Sequence, residues 1–172
     1  MGVLTASGGA CGIIADRASA QHIQIPPFSA RTVAAISPHV PPFATVGNPL
    51  DVTGYVLANA RTEALTAIDY ALDAALDDPG LDFVLFCGLT VPDARPPDEG
   101  VASRLEERVR WLGERIAAAP IPVITMGSTC VDVSGYAREL LGRHRIHLLG
   151  GFDLGLRALG HALRWLDRKS VV

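Results

Sequence analysis

Hydrophobic positions along this chain follow two rhythms. Short continuous apolar runs alternate with longer stretches in which apolar residues recur every three or four positions. That is the signature of strands alternating with helices in a parallel α/β sheet. The runs predict strands at Val3–Ala6, in "LDFVLFCG" around Phe83–Phe86, in "IPVITMG" and in "RIHLLGG", with a weaker second strand at His22–Ile25. Helical periodicity covers Ala10–Ala20, and Ser29–Ile36 up to Pro38. It returns over Asn59–Asp77, where Leu65, Ile68, Leu72 and Leu76 form one stripe and Pro79-Gly80 ends it. Further helices are predicted over Val101–Ala119, near Ser134–Leu141 and over Phe152–Leu166, the last with Asp153 as its cap. "PHVPPFATVGNPLDVTGY" carries too many prolines and glycines for regular structure over most of its length.

Five strands in this order, the central ones apolar throughout, predict a flavodoxin-like doubly wound parallel sheet with both faces covered. One domain is expected over residues 1–172. In such sheets ligands bind beyond the carboxyl ends of the strands. The candidate loops are therefore Ser7–Gly12, Asn48–Gly54, Cys87–Thr90 and Gly127–Thr129.

Composition narrows the classes. Apolar residues make up 49% and charged residues 19%, as in an ordered, soluble chain. A net charge of −3 without a basic cluster gives no support to nucleic-acid or membrane-surface binding. Arginines and glutamates between Arg104 and Arg115 read as a solvated helix face. No signal peptide or membrane-spanning run is visible. Cys11, Cys87 and Cys130 read as reduced thiols of a cytoplasmic protein, and five scattered histidines have no metal-like spacing. The brief first strand reads as the start of a piece cut from, or a relic of, something longer.

The stretch "TASGGACGIIAD" places glycines directly between a strand and a helix. Glycine lets the backbone turn tightly and approach a ligand, while the free N–H groups and dipole of the next helix favour an anion. A plain strand-to-helix turn has about even standing with this reading. Ser7 does not complete a nucleophile elbow, because Thr5 stands where GxSxG needs glycine. Cys11, in the first turn, is a candidate low-pKa thiol, with an apolar filler the stronger expectation. Asp16 reads as an ordinary exposed or capping carboxylate. Asn48 and Asp51 in "GNPLDVTG" either brace their loop through side-chain to backbone bonds or touch a ligand.

Taken together, "VLTASGGACGIIADR", "GNPLDVTG" and "DDPGLDFVLF" resemble the third domain of the α-part of NDP-forming acyl-CoA synthetases, a family that includes ADP-forming acetate–CoA ligases and relatives of succinyl-CoA synthetase. Thr5, Gly8, Gly9, Gly12, Ala15, Asp16, Asn48, Pro49 and Asp51 match the family pattern, and Ile14 replaces its usual alanine. The likeness is good from Val3 to about Phe86 and looser to "LLGGFDLGLRALGHALRW".

The resemblance implies an acid–thiol ligase that interconverts acyl-CoA, phosphate and NDP with acid, CoA and NTP. The phosphate passes through a phosphohistidine held between helix N-termini. Ser7, Gly8, Gly9, Ala10, Cys11 and Gly12 would then bind phosphate, supported by Asp16, Asn48 and Asp51, with Cys87, Gly88, Leu89 and Thr90 near the acyl group. No catalytic residue is expected within this chain. The histidine, CoA, and ATP or ADP with Mg would belong to partner phosphohistidine, CoA-binding and ATP-grasp domains or subunits, and homo-oligomerisation is left open. A stand-alone phosphate- or nucleotide-binding regulatory protein without catalysis is the alternative.

Overall fold

A computed structural model describes residues 1–53, 64–129 and 132–169. Its strands are β1 (Gly2–Thr5), β2 (Leu50–Asp51), β3 (Val84–Cys87), β4 (Val123–Met126) and β5 (Leu148–Leu149). All pair in parallel, in the order β2-β1-β3-β4-β5. The α-helices among the described residues are α1 (Gly8–Ala20), α2 (Ala30–Ile36), α3 (Ala64–Leu76), α4 (Glu99–Ala118), α5 (Gly135–Arg143) and α6 (Phe152–Lys169). This is the expected flavodoxin-like α/β architecture. None of these helices is long and apolar enough to cross a membrane.

Alternation along each strand divides the core between the two faces of the sheet. Val3, Leu85 and Met126 face α1 and α6, packing with Ile14, Ala18 and Leu156. Leu4, Leu50, Val84 and Phe86 face α2 to α5, packing with Ile36, Leu72, Val109 and Leu140. Polar positions in the runs are few because both sheet faces are dry, and the buried Thr125 hydroxyl is satisfied by the His147 carbonyl.

Helix starts follow local chemistry. Ser29, Asp98 and Ser134 accept bonds from the amides of Thr32, Val101 and Ala137. Asp153 lies inside the first turn of α6 and pairs with Arg17 at 3.2 Å, so it does not act as the expected cap. The predicted helix Asn59–Asp77 is present as α3, and its first five positions lie outside the described residues.

The second strand differs from expectation. Residues 23–29 form no strand. Pro26 and Pro27 offer no N–H donors for a ladder, and His22 turns the chain with a φ of 61°. The strand beside β1 instead comes from within the proline- and glycine-rich stretch, at Leu50–Asp51. Asn48 braces this arrangement. Its side-chain oxygen accepts from the Val3 amide at 2.8 Å, and its nitrogen donates to the carbonyls of Met1 and Pro26.

Candidate functional site

The sheet reverses its winding at β1, which has β2 on one side and β3 on the other. Such a switch point opens a crevice beyond the strand ends. Here the register aligns Thr5, Asp51 and Cys87 at the carboxyl ends of the three strands. The glycine turn follows β1 at that edge, and Gly88–Thr90 follow β3.

Ser7 is the N-cap of α1, in extended conformation, and its hydroxyl makes no cap bond. Ser7, Gly8 and Gly9 are exposed, and neither the Gly8 nor the Gly9 amide has a hydrogen-bond acceptor among the described residues. Ala10 is buried, and its amide returns to the Ser7 carbonyl at 3.0 Å. A Cβ on Gly9 would meet nothing within 4 Å, whereas one on Gly8 would come within 2.9 Å of Asp51 Oδ2. The two glycines thus serve different ends. Gly8 makes room for a carboxylate, and Gly9 leaves the helix end open. Gly12 and Asp16 lie farther along the exposed side of α1.

Asp51 is set by its own loop. Its Oδ1 accepts from the Thr53 amide at 2.8 Å and from the Thr53 hydroxyl, an Asx turn that holds the carboxylate toward Gly8. A negative charge therefore sits beside the first turn of α1. Asn48, from the same motif, lies at the opposite end of β1 and spends its amide on backbone groups.

The thiols of Cys11 and Cys87 are both shifted toward the protonated form. Burial, and then the charge of Asp51, push Cys11 above the ordinary thiol range. Burial, with a contribution from Cys11, takes Cys87 up to about 12. The lowering expected for a first-turn cysteine is outweighed, because desolvation and a carboxylate both oppose a thiolate. Neither group is prepared to act as a nucleophile at neutral pH.

Beyond β3, a Cβ on Gly88 would press against the side chains of Ile68 and Phe86. Leu89 and Thr90 then join Gly127, Ser128, Thr129 and the α5 cap Ser134 around a cavity of about 150 Å³. Two of the four expected loops thus meet at one end of the sheet. Asp93 and Asp132 also border this space and were not singled out from sequence, where nothing marks a loop carboxylate by its neighbours. Among the described residues no group of three His, Cys, Asp or Glu side chains converges as metal ligands would.

No protein-family model matches the chain, and no curated protein matches it. Solved structures do share its fold. PH0766 from Pyrococcus horikoshii OT3 superposes with a TM-score of 0.65 at 21% identity over 95% of this chain. The dinucleotide-forming acetyl-coenzyme A synthetase 1 of Candidatus Korarchaeum cryptofilum does so with a TM-score of 0.65 at 22% identity over 98% of this chain, both in its apo form and in complex with phosphate and ADP. The chain spans about a third of the length of these proteins.

Proposed function

We propose that this chain is a domain of an NDP-forming acyl-CoA synthetase, and that the N-terminus of α1 stabilises the phosphoryl group in transit. The observation that carries this reading is the exposed, uncapped turn Ser7–Gly9 at the switch point of the sheet. Free amides preorganised there would donate to phosphoryl oxygens without reorganisation, reinforced by about half a unit of positive charge from the helix dipole. The fold shared with an acetyl-coenzyme A synthetase, and the motif residues Gly8, Gly9, Gly12, Asn48 and Asp51, support it further.

Asp51 shapes what such a site accepts. A carboxylate beside Gly8 opposes a bare anion, so a phosphoryl group that arrives with a positive partner is favoured over free phosphate. A phosphorylated imidazolium from a neighbouring domain meets that demand. CoA and nucleotide would be held by partner domains, and Cys87–Thr90 would border the acyl group. Cys11 and Cys87, both raised above the ordinary thiol range, take no covalent part in this reading.

Titration of the 15N-labelled chain with inorganic phosphate tests the reading. The amides of Ser7–Gly12 should shift saturably at millimolar phosphate. Gly9→Val should abolish those shifts while folding normally, since its side chain would enter open space. Amides that stay unmoved even in Asp51→Asn, where the opposing charge is gone, or equal shifts in Gly9→Val, would overturn the anion site.

A further inference from the structure

The far edge of the sheet borders a groove distinct from the α1 turn. β5 ends the strand order, so its outer edge pairs with no strand among the described residues. A groove of about 700 Å³ runs between this edge and α5. Its apolar wall is built from Val133, Leu141, Ile146 and Leu148. Arg138, Arg145 and His147 also line it, all three exposed, and no lining residue is acidic. Neither arginine takes part in an ion pair among the described residues, in a chain whose net charge is −3.

Arg145 is conformationally costly where it stands. α5 ends in a Schellman arrangement: the Ile146 amide returns to the Leu141 carbonyl at 3.0 Å, and the Arg145 amide to the Gly142 carbonyl at 3.2 Å. The residue between helix and strand then adopts φ 57°, a conformation that suits glycine. An arginine there gives up stability and gains a cation at the mouth of the groove.

We propose that this groove binds an extended peptide segment of alternating acidic and apolar residues, added to β5 as a further strand. The open edge supplies main-chain pairing, the apolar wall receives alternate side chains, and the two guanidinium groups meet the carboxylates. α5 is nine residues long, about 13 Å, which matches about four residues of extended chain.

A fluorescein-labelled hexapeptide alternating Glu and Val tests this by fluorescence anisotropy. Binding should saturate, weaken as salt is raised, and fall about tenfold in Arg145→Gly and in Arg138→Gln. Arg145→Gly relieves the backbone strain, so its melting temperature should not fall, which separates lost recognition from lost folding. Absence of binding would overturn the proposal. So would equal binding to the variants, equal binding of a Lys/Val hexapeptide, or equal binding of a Glu/Val peptide N-methylated on alternate amides. Oligothymidylate binding with the same dependence on the arginines, without peptide binding, would assign the groove to nucleic acid instead.

Discussion

Cys87 shows how much a neighbourhood can change a residue whose local context looks simple. Its thiol ends a buried strand beside Cys11, and burial lifts its pKa to about 12. An unfolded chain releases that proton near the ordinary value of 9.0. Stability is therefore full below pH 9 and is lost as pH rises toward 12. Thermal melts should show about 1–2 kcal/mol lost by pH 10, with the loss reduced in Cys87→Ala; equal alkaline losses in the two proteins would contradict this. The neighbouring loop motif holds a similar lesson. In "GNPLDVTG" both polar residues looked alike as loop braces or ligand contacts. Asn48 braces three backbone groups, whereas Asp51 bonds Thr53 and faces Gly8. Nothing in eight residues of sequence separates those roles, because they depend on which strand each residue lies beside.

Helix α4 was legible in position and only partly in its surface. Its apolar stripe, with Val109 and Leu112 buried, is where periodicity predicts, and Arg110–Glu114 is a solvated pair. Arg108 departs from the expected solvated face. It pairs with Asp69 of α3, their side chains only 13% and 22% exposed, and its guanidinium lies over Trp111. Arg115 makes a second link, to Asp73. Burial raises the Asp69 pKa despite Arg108, which marks this as a pair drawn out of water. Arg108→Met, leaving that carboxylate buried alone, should cost about 3–5 kcal/mol in urea unfolding, while Arg108→Met with Asp69→Leu should recover most of the loss. If the double variant is no better than the single one, the pair is not the source of the cost. Helical period alone leaves residue 108 at the border of the stripe, and the packing of α3 decides which side of that border it falls on.

At the scale of the whole molecule, distant segments are joined through a few buried polar groups. Asp78 is 4% exposed and accepts from the amides of Ser29 and Gly80 at 2.8 and 2.9 Å. It ties the start of α2 to the loop before β3. Burial pushes its carboxyl upward, but the Thr32 hydroxyl and the Ser29 and Gly80 amides hold it below the ordinary range. Its stabilisation is therefore present above about pH 4 and fades as pH falls through the lowered pKa. Asp78→Asn should lower stability by about 1–3 kcal/mol at pH 7, the gap to wild type narrowing in acid; circular dichroism melts from pH 7 to pH 3 check this. By itself the sequence determined the alternation of strands and helices, the doubly wound class and the glycine turn ahead of α1, since these depend on period, dryness and backbone freedom within short windows. Only the tertiary structure decided that Leu50–Asp51, and not His22–Ile25, lies beside β1. It alone brought Asp51 to the mouth of α1, pushed the Cys11 and Cys87 thiols above their ordinary range and placed Arg138 and Arg145 along a groove beside β5. Strand pairing joins segments far apart in the chain, and its outcome depends on which partner buries more surface and satisfies more backbone groups.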